Sequence, residues 1–371
     1  MEQIPHRVWL EISLSKLKDN FQKIRCAVKP AKVLTVVKAN AYGLGVMPVA
    51  NALAEAGSAG FGVAEPREAM QLLPLGKPVQ ILSSVLPEEI GPMVEAGVTL
   101  PVMDWETARQ ISRAAVRLRK TATVQFKIDT GMGRLGILAK DAPEVIRRVV
   151  KLPNLDCEGM FSHFPQAYEN GSGVTNRQMD LFCEILREVA GDGIQFRKCH
   201  IAASSGINSF PRAHKPPFNY VRAGIDLHGS FEPEGHALGM QPILTLKARI
   251  AQIRRLPANA TVGYGLTCRL PRATRVATVT AGYADGFPLA LSNRGYFLVH
   301  GIPCPILGRI SMDYTVVSLE GVPQAKVGDE VVCIGGEGPN AIRVEDWASL
   351  KMTHGYDILC SFGNRVVRRY V

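Results

Sequence analysis

KVLTVVKANAYGLGVMPVANALAEAG, residues 32–57, contains one complete structural step. KVLTVV is a β-branched apolar run and reads as a buried strand. The small residues after it, with Gly43 and Gly45, stop the strand in a turn. MPVANALAEAG then places its apolar residues at helical spacing. Lys38 stands at the C-terminal end of the strand. A buried ammonium is costly unless it is paired or neutralised. Lys38 is therefore either a snorkelling surface residue or a group with a task.

The same step recurs. FGVA, VQILS, VTLPVM, TVQFKID, LDCEGMFS, RKCHIA and YVRAGIDL are further strand candidates. Amphipathic runs such as EEIGPMVEAG, WETARQISRAAVRL, DAPEVIRRVVKL and RQMDLFCEILREVA lie between most of them, with Asp104 and Asp141 placed as helix caps. Eight β–α steps in about 200 residues fit an N-terminal (β/α)8 TIM-type barrel better than a doubly wound open sheet. FEPEGHALGMQP, residues 231–242, is rich in turn formers and ends the barrel. Beyond it, ILTLKARIAQI, TRVATVTAGY, YFLVHGIPCPILG, DYTVVSLEG and DEVVCIGG are β runs split by Pro and Gly. The expected division is a barrel over residues 1–235 and a C-terminal β-rich domain over residues 236–371. The early strand VWLEISL, residues 8–14, is a candidate to join the second sheet.

With 46% hydrophobic and 20% charged residues, the 371-residue chain is not a disordered one. Its net charge of +10 favours anionic ligands. The basic residues are scattered, and no basic stripe interleaves with aromatics, which argues against nucleic-acid binding. None of the eight cysteines forms a C-x-x-C pair, and no metal-ligand spacing appears, so no metal is expected. Scattered thiols suit a reducing, cytoplasmic home. MEQIPHRVWLEI lacks the apolar core of a signal peptide, and no 18-residue apolar stretch suggests a membrane helix.

Active sites of such barrels sit at the C-terminal ends of the strands. Those ends carry Lys38 and Tyr42, then Lys127, Asp129 and Arg134, then His163, His200 and Ser204, and last Arg222 and Gly224. Each alone is explained as a satisfied core or paired residue. Their convergence on one rim is not. A lysine there suits a Schiff base with a carbonyl, for which the amine must lose its proton. Pyridoxal phosphate is the common partner. Its phosphate needs hydroxyls, backbone N–H groups or arginine, and Tyr42, Ser204 and the turn AGID supply groups of that type.

VVKANAYGLG resembles the cofactor-lysine signature of the alanine racemases. The likeness runs in order through KIDTGMGRLG, FSHF, HIAASSG, VRAGIDLHG, VGYGLT, AGYADGF and GRISMD, nearly the whole chain. It implies a pyridoxal 5'-phosphate barrel with a C-terminal β domain, acting as a head-to-tail homodimer that interconverts L- and D-alanine. By the resemblance, Lys38 holds the cofactor as an internal aldimine and is one catalytic base. Tyr264 is the other, reaching in from the partner chain. Arg222 faces the pyridine nitrogen, His200 holds Arg222, and His163 orients Tyr264. Tyr42, Ser204, Gly224 and Ile225 bind phosphate. Arg134 meets the cofactor phenolate or the substrate carboxylate, and the Met312 backbone meets that carboxylate too. Tyr283, Arg309 and Asp313 line the entrance. Lys127 matches a lysine that is carbamylated in some members. An ordinary tyrosine loses its proton near pH 10, so Tyr264 needs cationic neighbours, with His163 and Arg222 as the candidates.

The chain departs from the family pattern at several positions, among them a valine for proline in NRVVRR. Ala203 replaces an asparagine before the phosphate serine. Tyr168 stands where an entrance acid is usual. Asn364 stands where many relatives carry a tyrosine, which leaves the phosphate shell one hydroxyl short. The alternatives are a serine or broader-specificity racemase of the same fold, a barrel-type decarboxylase, a non-catalytic pyridoxal-phosphate carrier, and a cofactor-free binding module. The tyrosine of VGYGLT favours racemisation over decarboxylation, and the β domain disfavours the one-barrel carrier.

Overall fold

The structure, a computed structural model, describes residues 6–168, 171–230 and 238–371. Most of the turn-rich segment expected at residues 231–242 lies outside them. The first strand, β1 (Val8–Ile12), belongs to the C-terminal sheet. The barrel begins at β2 (Lys32–Val36) and continues through β3 (Phe61–Val63), β4 (Val79–Ile81), β5 (Leu100–Val102), β6 (Ala122–Asp129), β7 (Leu155–Phe161), β8 (Lys198–His200) and β9 (Tyr220–Ala223). All paired neighbours among these run parallel. Bridges at Gln80–Thr99 and Ala203–Arg222 join the two arcs and close the ring. The (β/α)8 barrel expected from the repeating step is therefore present.

Local chemistry explains the ring. The strands are short, mostly buried and rich in Val, Ile and Phe, as parallel strands covered by helices must be. Helix Trp105–Leu118 starts where Asp104 accepts a hydrogen bond from the Thr107 amide at 2.7 Å. It buries Ala108, Ile111 and Ala115 and keeps Arg113 in water. Asp141 occupies the equivalent position before helix Ala142–Val149, but its backbone is helical and its side chain caps nothing. Helix Leu14–Ala27 packs beside the last barrel turn, where buried Asn20 donates to the Leu227 and Gln241 carbonyls at 3.1 and 2.8 Å.

The second layer is built on the long strand Leu244–Leu256. It pairs antiparallel with β1, with Thr274–Val279 and with Glu330–Ile334. The C-terminal strand Val367–Tyr370 adds in parallel on the other side of β1. The chain therefore starts and ends in the β domain, and its last residues reach the barrel rim.

Candidate active site

β2 ends at a backbone conformation rare for these residue types. Ala39, Asn40, Ala41 and Tyr42 all have φ between 51° and 56°, one turn of left-handed helix. Such a turn costs L-residues about 1–2 kcal/mol each, so the surroundings must enforce it. Glu68 accepts from the Ala39 amide at 2.5 Å with one oxygen and from the Ala64 amide at 2.8 Å with the other. Asn40 Oδ1 accepts from the Val46 amide at 2.8 Å. From the end of the chain, Arg368 donates to the Gly43 carbonyl at 2.8 and 3.0 Å, and Tyr370 Oη to the Leu44 carbonyl at 3.0 Å. The strained turn turns the chain back while Lys38 lines a cavity of about 780 Å3 inside the barrel mouth. Desolvation, then the Arg134 charge, lowers the Lys38 pKa, which favours the neutral amine that attacks carbonyls. Removing the clamp with Glu68→Ala should cost about 1.5–3 kcal/mol of unfolding free energy for the lost charge-assisted hydrogen bonds. An unchanged urea midpoint would show that the turn holds without it.

Arg222 is buried in the same cavity wall. It donates to His200 Nδ1 at 2.6 Å, to the Ser162 and Ile201 carbonyls at 2.8 Å each, and to His163 Nδ1 at 3.2 Å. Burial pushes it down to about 9, which still leaves the guanidinium charged at neutral pH. Because His200 Nδ1 accepts, its Nε2 carries the hydrogen, which goes to Gln125 Oε1 at 2.8 Å. Gln125 in turn donates to Glu158 at 2.9 Å, and Glu158 pairs with Lys198 at 2.7 Å. This chain fixes one tautomer and one ring orientation for His200. Burial and the Arg222 charge hold His163 near 3. The expected cationic His163 is thus corrected: it is a neutral imidazole, and the cations here are arginines and lysines.

The candidate residues fall into two groups. Lys38, Tyr42, Lys127, Arg134, His163, Ser204, Arg222 and Gly224 share the cavity wall, with Tyr168 and Ala203. His200 lies directly behind Arg222, and Ile225 is buried in the next turn. Lys127 Nζ donates to the Leu82 and Ser83 carbonyls at 2.7 and 3.3 Å, and burial, then Arg134, brings it down to about 8. The second group lies on the β domain and lines no part of that cavity. Tyr264 is 72% exposed, Met312 51% and Tyr283 44%. Arg309 is exposed as well, and Asp313 is half-buried, with its carboxylate 2.9 Å from the Arg365 guanidinium. The Tyr264 turn packs against the Arg309 backbone, since a Cβ on Gly263 would fall 3.0 Å from the Arg309 nitrogen. The Tyr283 and Ala284 amides donate to the Ser311 and Met312 carbonyls at 3.0 Å each.

Cradle chemistry fits a phosphate-bearing pyridine aldehyde. A Cβ on Gly224 would lie 2.4 Å from the Tyr42 hydroxyl, so only glycine lets that hydroxyl approach the turn. Ser204 Oγ accepts from the Gly224 amide at 3.2 Å. An amine, a buried guanidinium and this hydroxyl–amide cluster share one cavity. Family models described as the alanine racemase N-terminal and C-terminal domains match residues 12–232 and 243–370. The chain belongs to the alanine racemase family. It is 36% identical to an alanine racemase of Carboxydothermus hydrogenoformans, over 98% of this chain and 99% of that one. It is also 36% identical to one of Halothermothrix orenii, over 100% and 98% of the two chains. The solved alanine racemase of Streptomyces lavendulae is similar with a TM-score of 0.92, 33% identity and coverage of 100% of this chain and 98% of that one. An alanine racemase from Bartonella henselae, solved with covalently bound pyridoxal phosphate, has a TM-score of 0.89 and 28% identity over 99% of this chain and 100% of that one.

Within this alanine racemase frame, several site residues carried no readable signal in the sequence. Glu68 and Gln125 act only through long-range hydrogen bonds. Tyr356, on helix Gly355–Cys360, lines the cavity and its ring lies 5.8 Å from that of Tyr42. The expected loss of a hydroxyl at Asn364 is corrected by this tyrosine: Asn364 is exposed and outside the cavity wall, whereas Tyr356 is in it.

Proposed function

We propose that this chain interconverts L- and D-alanine with pyridoxal 5'-phosphate carried on Lys38. The observation that supports this most is the joint presence of Lys38, Arg222, His163 and the Ser204–Gly224 cradle in one cavity. When bound, pyridoxal phosphate supplies an electron-withdrawing ring that acidifies the substrate's α-hydrogen. Lys38 holds the group and, once released, moves a proton on one face of the substrate carbon. Tyr264, from a second copy of the chain, moves it on the other. Arg222 presents only donors, so a pyridine nitrogen opposite it stays unprotonated. That weakens the electron sink and suppresses transamination. His163 accepts from Arg222 at Nδ1, so its Nε2 hydrogen is available to orient Tyr264. Tyr42, Ser204, Gly224 and Ile225 hold the phosphate. Arg134 and the Met312 backbone hold the substrate carboxylate, and Tyr283, Arg309 and Asp313 narrow the approach.

The assembly in this reading is a head-to-tail homodimer, because Tyr264 and Met312 lie exposed and outside the cavity of their own chain. In this reading the chain divides near residue 235, which the gap between the two family matches supports. A cytoplasmic place and a role in supplying D-alanine for peptidoglycan accord with scattered free thiols and the family relationship. No helix among the described residues is long and apolar enough to cross a membrane. The test is racemisation of L-alanine, L-serine, L-lysine and L-arginine. Alanine should be fastest, serine slower, and lysine and arginine very slow. Comparable kcat/KM for lysine and alanine would make Tyr168 the mark of a broad-specificity branch. Borohydride reduction and peptide mapping should place the pyridoxyl group on Lys38, and a label on Lys127 would overturn that assignment.

A further inference from the structure

Asp226 has no part in the reaction above, yet it sits inside the phosphate cradle. Its side chain is fully buried in the turn that follows Gly224. Oδ1 accepts from Ser204 Oγ at 2.7 Å, from the Leu227 amide at 3.1 Å and from the Gly224 amide at 3.2 Å. Oδ2 is buried without a hydrogen-bond partner. Two of the three donors, Ser204 and Gly224, are the groups assigned to the cofactor phosphate. A carboxylate and a phosphate dianion are thus placed to use the same hydroxyl and the same amide in a water-poor turn. The neighbouring titratable groups bring no compensating charge. Tyr42, from the lysine turn, is held well above its ordinary pKa by burial, and it packs on Tyr356. His228, on the same turn as Asp226, stacks edge-on to Tyr42 and is held near 4 by burial, so it is neutral. From helix Leu14–Ala27 the group facing the turn is the uncharged Asn20 amide.

We propose that Asp226 completes the phosphate cradle as a neutral carboxylic acid, donating its hydrogen to Ser204 Oγ while Ser204 and Gly224 donate to the phosphate. This rests on reading Ser204 and Gly224 as phosphate ligands. The balance is simple. The carboxylate takes one proton from solvent, the Ser204 hydrogen turns from Asp226 to a phosphate oxygen, and no covalent bond between heavy atoms changes. Asp226 is thereby a positioning residue that tunes cofactor affinity. Burial already raises its carboxyl to about 6 without the cofactor, and a phosphate beside it raises it further. A group whose pKa rises on binding favours binding below that pKa and opposes it above. Phosphate affinity should therefore fall as pH rises through the neutral range.

The test compares pyridoxal phosphate with pyridoxal on the apoprotein, read by the absorbance of the lysine-linked chromophore. Both use Lys38, so the ratio of their dissociation constants isolates the phosphate. A phosphate monoester completes its second ionisation near pH 6, so changes between about pH 7 and about pH 9 report on the protein. The preference for pyridoxal phosphate should fall by up to about tenfold per pH unit for one linked proton. In Asp226→Asn, and in Asp226→Ser, it should be flat and exceed the wild-type preference at the alkaline end. A flat wild-type preference, or the same slope in the neutral variants, overturns the proposal; the wild-type slope decides it even where a variant does not fold. Ser204→Ala separates the two readings. If it leaves the preference unchanged, the phosphate lies elsewhere and both fall. If it lowers the preference while the wild-type slope is flat, only the role of Asp226 falls.

Discussion

Tyr264→Phe should reduce wash-out of the α-hydrogen of L-alanine into solvent by about 10²–10⁴-fold, the usual contribution of a positioned base. Wash-out from D-alanine should fall less. The resemblance to the family implies that Lys38 serves the D-form and Tyr264 the L-form, and the two stand in separate groups of site residues. Lys38 works from inside the barrel, at the end of β2, where desolvation and Arg134 lower its pKa. Tyr264 stands on a β-domain turn whose geometry depends on Gly263 and Gly265, at φ of 74° and 73°. Phenylalanine keeps the ring and the turn and removes only the oxygen. The Lys38 face remains intact, so exchange that begins there survives. Equal loss from both enantiomers would refute the split between the two faces. Loss from D-alanine alone would reverse the assignment.

The barrel was legible because its signal is local and repeats. Each strand is a β-branched or aromatic run, each helix an amphipathic one, and β1 could be matched to the distal sheet. The left-handed turn after Lys38 was not legible. Ala39, Ala41 and Tyr42 have no intrinsic preference for positive φ, and no glycine announces it until Gly43. The conformation is imposed by Glu68, Arg368 and Tyr370, which act from other elements. Asp141 shows the same limit on a smaller scale. Its residue type suits a cap, but its backbone is already helical there.

Charge state was the least legible property. His163 reads as a titratable group in sequence, yet burial beside Arg222 keeps it neutral. Asp226 carries no signal in the sequence, yet once folded its carboxylate accepts from the Ser204 hydroxyl and the Gly224 amide. Asn364 reads as a missing hydroxyl by its place in the motif, yet the cavity wall takes Tyr356 from a neighbouring helix. In each case the deciding fact is which groups are neighbours once the chain is folded, and residue type does not encode that.

Mixing two inactive variants should restore about a quarter of wild-type activity. Lys38→Ala removes the amine from the cavity, and Tyr264→Phe removes the hydroxyl from an exposed turn of the β domain. In one chain Tyr264 is 72% exposed and lines no part of the cavity that holds Lys38. If a two-fold dimer brings each Tyr264 to the other chain's Lys38, a mixed dimer places both defects in one site and leaves the other intact. Random reassortment of equal amounts makes about half the dimers mixed, each with one working site of two. The measurement is L-alanine racemisation after unfolding, mixing and refolding the variants together, with separately refolded variants as controls. Were both residues supplied by one chain, every site would keep a defect and mixing would restore nothing. Near-zero recovery, with mixed dimers confirmed by mass, would therefore place the whole site within a single chain. It would leave the exposure of Tyr264 to be explained by movement of its own β domain toward the barrel.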